Sequence, residues 1–155
     1  MKMQDKSIVG FLLCLLFPFS CFAGSSADPL VGLWQHVSFV QTAEGKVVRK
    51  YDSADGATLE YRPDGTWRLK NPQHQSAGTY RWTSKELVES KITSSDFPNQ
   101  VGYTSVKKAT VYNQTLVLVT EYDEEGMKVM AARPDGTRPK SMSVTSTFRK
   151  IAVNK

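Results

Sequence analysis

The segment TLEYRPDGTWRLK, residues 58–70, decides the fold because it combines strict alternation with a turn signal. On both sides of RPDGT, side chains alternate with the period of two that is typical of a strand with one face on a core. The apolar positions are Leu59, Tyr61, Trp67 and Leu69, and the charged positions are Glu60, Arg62, Arg68 and Lys70. The segment therefore predicts a β-hairpin with one buried face and one solvated face.

The sequence RPDGT occurs twice, at residues 62–66 and 133–137. In each copy the proline fixes φ at the second position of a turn, and the glycine can adopt the left-handed conformation that closes a short hairpin. The flanking residues of the two copies differ, and one aspartate per copy is too few for a calcium loop. We therefore interpret both copies as turns.

The same pattern continues over the rest of the chain from residue 30 to residue 151. Short segments rich in Val, Thr, Tyr, Trp and Phe are separated by turn signals, which indicates an all-β sandwich or barrel. The predicted strands are 32–41, 47–51, 58–62, 66–70, 78–83, 86–93, 103–112, 115–122, 127–133 and 142–151. We predict a single antiparallel up-and-down β-barrel of about 8–10 strands with little or no helix. Whether segment 47–51 joins the barrel or caps it stays open.

The first 23 of the 155 residues have the features of a cleaved signal peptide. Lys2 and Lys6 precede a long apolar stretch, which small residues follow up to Ala23. We expect a signal peptide at 1–23, a short linker at 24–29 and a barrel domain at 30–155, in a periplasmic or secreted protein without a transmembrane span after cleavage. The alternatives are cleavage near Ala27, an uncleaved anchor, and a lipoprotein modified at Cys21.

The positions of the cysteines and the net charge limit the kinds of protein that the sequence can encode. Both cysteines, Cys14 and Cys21, lie in the predicted leader, so we expect no disulfide in the mature domain. Removal of the leader, with its two lysines and one aspartate, changes the net charge from +5 to +4. Such mild basicity does not indicate a nucleic-acid partner, and the pairs 49–50 and 107–108 are interpreted as solvated strand faces.

Four short motifs, VGLW, YRPDGTW, AGTYRW and STFRKI, follow one another in the order found in lipocalin-like (calycin) proteins. The chain resembles the small exported bacterial branch of that group over essentially its whole mature length. The resemblance implies that Gly32, Trp34 and Arg149 close one end of the barrel, with the Arg149 guanidinium packed over the Trp34 indole. A cation on an indole contributes about 0.5–2 kcal/mol.

Aromatic and charged residues in the strands are the candidates for a ligand site. Strict alternation puts His36 on the same face as Trp34 and puts Phe39 on the opposite face. The proposed ligand-binding residues are His36, Tyr61, Trp67, Tyr80, Glu89, Tyr103 and Glu121. A core position for His36, and outer positions for Glu89 and Glu121, are the alternatives. The mature chain has no histidine–cysteine cluster, so we expect no metal and no cofactor.

Three functions are compatible with these residues. The first is binding of a small hydrophobic or amphipathic ligand in the barrel lumen. The second is a cell-envelope module with a packed, ligand-free barrel that binds a protein partner through the 94–103 loop, with Phe97 at its centre. The third is an isomerase or cyclase in which His36 acts as general base beside Glu89 or Glu121, although the sequence contains no recognisable catalytic motif.

Overall fold

The computed structural model describes residues 27–52, 56–128 and 138–152. Regular structure in these ranges is almost entirely antiparallel β-strand. The described strands are β1 (Gly32–Ala43), β2 (Lys46–Tyr51), β3 (Thr58–Tyr61), β4 (Thr66–Lys70), β5 (Gln75–Trp82), β6 (Leu87–Ser95), β7 (Thr104–Tyr112), β8 (Thr115–Tyr122) and β9 (Met142–Lys150). One 3₁₀ turn (Pro98–Gln100) and one short helix, α1 (Glu124–Lys128), are the helical elements described.

Eight of these strands form a closed barrel. From β3 to β9 each strand pairs with its neighbour in the sequence, and β1 pairs with both β3 and β9. The pairing of β1 with β9 closes the sheet, because it joins the first described strand to the last one. The predicted all-β, up-and-down antiparallel barrel is confirmed.

Strand β2 is an extension of the barrel. It pairs with the C-terminal half of β1, whereas β3 pairs with the N-terminal half of the same edge. β2 and β3 therefore lie end to end along β1. Every side chain of β2 is exposed, and within the described residues β2 pairs with no strand other than β1. Segment 47–51 thus joins the sheet as an outer ribbon beside the closed barrel.

The first RPDGT is a hairpin turn, as predicted. Gly65 has φ +79°, and the Arg62 amide donates to the Thr66 carbonyl at 2.9 Å. The Asp64 carboxylate accepts from the Thr66 amide and from the Thr66 hydroxyl, which fixes the turn from within. The second copy, at 133–137, lies outside the described residues.

The prediction of a strand beginning at Met127 is wrong. Met127 and Lys128 belong to α1, and the rest of the predicted strand, 129–133, lies outside the described residues. Asp123 starts the helix, because its carboxylate accepts from the Gly126 amide at 2.9 Å. Glu124 in the first turn also suits the positive end of the helix dipole.

A β-bulge at Val37 reverses which side chains of β1 point into the barrel. His36 pairs with Phe148 and Ser38 pairs with Thr147, so Val37 is an extra residue without a partner on β9. An extra residue reverses the alternation beyond it. Phe39 therefore points into the barrel, and the prediction that it faces away from the interior is wrong.

One end of the barrel, which we call the closed end, is filled by side chains. It is the end at which β1 begins and β9 ends. Leu30, Trp34, Val88 and Leu116 are fully buried there. The Trp34 Nε1 donates to the Leu30 carbonyl at 2.7 Å, so the segment before β1 folds back across the indole.

Asp28 fastens that segment to the barrel wall. Its carboxylate accepts from the Leu30 amide at 2.9 Å, from Trp82 Nε1 at 3.0 Å and from the Tyr80 hydroxyl at 2.8 Å. Hydrogen bonds to a charged group each contribute about 1.5–3 kcal/mol. Asp28 therefore ties β5 to the residues that precede β1.

The cation over Trp34 is Lys150, whose Nζ lies 5.1 Å from the ring centroid. Directly opposite residues in an antiparallel pair share a face, and Trp34 lies opposite Lys150 whereas Gln35 lies opposite Arg149. Arg149 is exposed and sits one position away from the role that the family resemblance implied. Gly32 has φ +145° and lies against the Lys150 side chain, so the position suits glycine.

Candidate ligand-binding cavity

The barrel contains a cavity of about 410 Å³ that reaches the end opposite Trp34, which we call the open end. This volume lies within the range of small-molecule sites, about 300–1,000 Å³. The lining residues are Phe39, Leu59, Tyr61, Trp67, Leu69, His74, Ser76, Ile92, Gln100, Tyr103, Ser105, Lys107, Leu118, Thr120, Tyr122, Val144, Ser146 and Phe148. They come from all eight barrel strands and from the loops at the open end.

Side-chain size explains why the cavity lies toward the open end. Several inward positions there carry short hydroxyl side chains, namely Ser76, Ser105, Thr120 and Ser146. The corresponding positions near the closed end carry large side chains, including Trp34 and Leu116. An eight-stranded barrel has an interior that ordinary side chains just fill, so small residues at one end leave space.

Trp67 forms part of the cavity wall and is held by its neighbour across the β4–β5 pair. It lies opposite Gly78, where a Cβ would come within 2.9 Å of the indole and 1.9 Å of the Lys91 carbonyl oxygen. Glycine at position 78 thus makes room for both the ring and the β6 backbone. The indole Nε1 donates to the Thr79 carbonyl at 3.1 Å.

Tyr61 and Tyr80, two of the proposed ligand-binding tyrosines, lie in different parts of the barrel. Tyr61 lines the cavity, and its ring packs edge-to-face against Tyr80 with centroids 4.7 Å apart. The Tyr80 hydroxyl is engaged by Asp28, so Tyr80 belongs to the closed end. Burial raises the pKa of both hydroxyls above the ordinary value, and for Tyr80 the Asp28 carboxylate adds to the effect. Both phenols stay neutral at physiological pH.

Tyr103 and Tyr122 form the rim of the open end. Their rings stack with centroids 6.4 Å apart and an interplanar angle of 13°. Burial raises the pKa of Tyr122 to about 12 and also raises that of Tyr103. Gly126 of α1 packs against both rings, and a Cβ there would lie 2.5 Å from the Tyr103 hydroxyl. The helix therefore supports the rim.

A second part of the rim is built by the 94–103 loop. Phe97 stacks on His74 with centroids 4.7 Å apart. Phe97 and Val101 are 49% and 48% exposed, so this loop presents apolar surface beside the cavity mouth. The His74 Nδ1 atom is buried and has no hydrogen-bond partner among the described residues.

Four of the seven proposed ligand-binding residues do not line the cavity: Tyr80, which belongs to the closed end, and His36, Glu89 and Glu121. His36 is buried in the barrel wall, with its ring 5.2 Å from Phe148. Glu89 points outward, because Val88 and Ser90 on either side of it are buried; its carboxylate pairs with Arg81 at 2.8 Å, and this hydrogen bond lowers the pKa of Glu89. Glu121 is exposed on the outer face. Of the proposed set, Tyr61, Trp67 and Tyr103 are brought together in the cavity.

Lys107 is the cavity residue that the sequence interpretation placed wrongly. Lys108 is exposed and pairs with Glu86 at 3.1 Å, but Lys107 points inward and lines the cavity. Its Nζ lies 5.8 Å from the centroid of the Trp67 ring. Desolvation lowers the pKa of Lys107 to about 8. The alternation of Lys107 with Ala109 and Val111 was a signal for this facing.

Among the described residues, no three His, Cys, Asp or Glu side chains come together as metal ligands would. Within the same residues, no helix has the length and apolar character needed to cross a bilayer.

Comparisons with known proteins assign neither a family nor a function to the chain. No family model matches the chain, and no curated protein matches it in sequence. Among solved structures, it is similar to the crystal structure of an uncharacterized protein from Bacteroides eggerthii, with a TM-score of 0.45 and 15% identity over 79% of this chain and 99% of that chain. The class of protein is therefore defined by the chain's own geometry: an eight-strand antiparallel β-barrel with an internal cavity.

Proposed function

We propose that this protein is an exported, lipocalin-like barrel that binds a small, largely apolar molecule in its lumen. The observation that carries the proposal is the cavity of about 410 Å³ inside the barrel. Because residues 1–23 have the features of a signal peptide, the cell envelope or the medium is the proposed place of action.

The chemistry of the wall supports a binding role. Most of the cavity is bounded by aliphatic and aromatic side chains, among them Leu59, Leu69, Ile92 and Phe148. A few polar groups converge on the same space, which is the usual composition of a small-molecule site. The filled closed end excludes water on one side, whereas the open end provides a route of entry.

A neutral apolar probe, N-phenyl-1-naphthylamine, tests this proposal through the fluorescence increase that accompanies its transfer from water to an apolar site. The wild-type protein is expected to bind about one probe molecule. Ser146→Phe should raise the dissociation constant at least about tenfold, since Ser146 lines the cavity opposite Phe39 and Leu118. Val106→Phe adds a ring on the outer face of β7, where Val106 is 48% exposed, and serves as the matched control.

Two results would contradict the proposal. One is the absence of any saturable fluorescence increase with folded wild-type protein. The other is an equal dissociation constant for wild type and Ser146→Phe, because probe bound outside the lumen is insensitive to the added ring. Far-UV circular dichroism of both variants establishes that each is folded.

A second candidate function is supported by the exposed loop at 94–103. Phe97 and Val101 present apolar surface that a protein partner in the envelope could cover. If the loop serves a partner, Phe97→Ala abolishes partner recovery in a crosslinking pulldown and leaves the affinity for the probe unchanged. Unchanged partner recovery together with weaker probe binding would assign Phe97 to the cavity mouth instead.

A further inference from the structure

Lys107 projects into the barrel from the middle of β7. It lies opposite Val88 of β6 and opposite Thr120 of β8, and both of these side chains are buried. Residues directly opposite in an antiparallel pair share a face, so Lys107 shares the inner face with both. Its amine extends toward β4, where it lies 5.8 Å from the Trp67 ring centroid.

Among the described residues, no aspartate or glutamate lines the cavity to match this amine. The described residues give Lys107 neither an ion pair nor a hydrogen bond, and desolvation is the only cause of its lowered pKa. Lys107 is partly buried, and a charge held in a mostly apolar cavity without a partner carries a desolvation cost that an opposite charge would offset.

The neighbouring residue Lys108 has the environment that is usual for a lysine. Lys108 turns outward, is exposed and pairs with Glu86. The contact of Lys107 with Trp67 is a partial compensation, because a cation over an indole contributes less than a charge-assisted hydrogen bond to a carboxylate. The position of Lys107 is therefore better explained by an anion that occupies the cavity than by the packing of the barrel alone.

Hydroxyl side chains lie on the same inner face of the strands next to Lys107. Thr120 lies opposite Lys107, and Ser105 lies opposite Ser90. The Ser90 Oγ atom is buried and has no hydrogen-bond partner among the described residues. Buried polar atoms in proteins are normally satisfied, so an unpartnered hydroxyl on the same inner face as an unpartnered amine is unusual. Such hydroxyls can donate to the oxygens of an anionic group.

We propose that the lumen binds an amphipathic monoanion whose carboxylate pairs with the Lys107 amine and whose hydrocarbon body packs against Leu59, Leu69, Ile92 and Phe148. This inference rests on the proposed binding function and adds the chemical class of the ligand to it. A single amine in an otherwise uncharged apolar wall selects one negative charge at one end of an apolar molecule.

Decanoate and decanol form a matched probe pair for this proposal, because they have the same chain length and differ in the charged head. Isothermal titration at pH 7 is expected to show decanoate binding at least about tenfold more tightly than decanol. Lys107→Met keeps a side chain of similar length without the charge. It should remove the preference while the affinity for decanol stays within about twofold. Lys108→Met, which deletes the same charge on the outer face, should leave the preference intact.

Dependence on pH provides a second readout that needs no variant of Lys107. Affinity for decanoate should fall between pH 7 and pH 9, as the amine loses its proton, while affinity for decanol stays constant. The other titratable side chains of the cavity are His74, Tyr61, Tyr103 and Tyr122. The same fall in a His74→Gln variant assigns the titration to Lys107.

The outcomes separate the two proposals. Binding of neither decanol nor the naphthylamine probe contradicts the proposed function itself. Equal binding of decanoate and decanol by the wild type contradicts the assignment of an anionic ligand while leaving lumenal binding intact. A preference for decanoate that survives in folded Lys107→Met also overturns the role of Lys107.

Discussion

The two ends of this barrel are built from the same strands and differ in what fills them. At the closed end, Trp34 and Leu116 are fully buried, and the segment around Leu30 covers them. At the open end, inward positions are occupied by short side chains such as Ser105 and Ser146, and space remains. A single sheet can therefore combine a packed core with an open cavity through the size of its inward residues alone.

Trp34→Ala should produce the largest loss of stability. It removes the largest fully buried side chain of the closed end, and Trp→Ala changes in cores cost about 3–5 kcal/mol. Phe97→Ala at the open rim removes a half-exposed ring and should cost less than about 1 kcal/mol. Urea unfolding of both variants checks the ranking; similar losses at the two ends would contradict the distinction between them.

Asp28→Ala should destabilise the closed end by about 1.5–3 kcal/mol. The change leaves Trp82 Nε1 without its acceptor and releases the segment that covers Trp34. Asp96 at the open end also accepts one backbone hydrogen bond, from Gln75, but it is exposed, so Asp96→Ala should change stability by less than about 0.5 kcal/mol. Thermal unfolding of the two variants measures the difference. A larger loss of stability from Asp96→Ala than from Asp28→Ala would refute this prediction.

Adding the same ring at two inward positions on either side of Leu118 should give different results, because one position is packed and the other borders the cavity. Ala109 belongs to the buried core and does not line the cavity, so Ala109→Phe overpacks the core and should cost about 1–3 kcal/mol. Ser146→Phe places its ring in existing space and should change the free energy of unfolding by less than about 1 kcal/mol. Denaturant titration tests this contrast. Comparable costs for the two variants would show that the open end holds no usable space.

The smallest expected effect is a pH-dependent one at Lys107. Its pKa is lowered to about 8 from the ordinary 10.5, so above pH 8 the folded chain releases a proton that the unfolded chain still holds. Stability should therefore rise with pH from about 8 toward 10 relative to Lys107→Met, by roughly 1 kcal/mol in a cavity open to water.

The difference between the unfolding curves of wild type and Lys107→Met isolates this contribution. The comparison with Lys107→Met is needed because the buried tyrosines change stability with pH in the opposite direction. Tyr61 and Tyr122 have raised pKa values, so the stability they contribute is present below pH 10 and is lost above it. Parallel curves for the two proteins between pH 8 and pH 10 would mean that the amine is not desolvated.

Much of the fold could be predicted because its signals are local. Alternation and turn residues specify hairpins directly, and β8 has the predicted bounds, Thr115–Tyr122. The bulge at Val37 had no such signal, since it depends on how β1 pairs with a strand from the far end of the chain. One extra residue was enough to turn Phe39 inward.

The cavity was harder to predict than the barrel. Tyr61 and Trp67 were identified because large rings beside a clear turn have an obvious facing. Lys107 was assigned to the outside because lysines are rarely buried, even though its alternation with Ala109 pointed inward. Glu89 was considered for the lumen although Val88 and Ser90 take the inward positions on β6. Strand alternation would have predicted the facing of both residues correctly, but the chemistry of their side chains was given more weight.

The pairing of the first barrel strand with the last has a consequence for how the chain folds. Trp34 at the start of β1 pairs with Lys150 at the end of β9. Contacts between such distant parts of a chain form slowly, because the entropy of closing the long intervening loop must be overcome first. During synthesis the barrel cannot close until β9 has emerged from the ribosome, so β1 stays without its β9 partner while the strands between them are made.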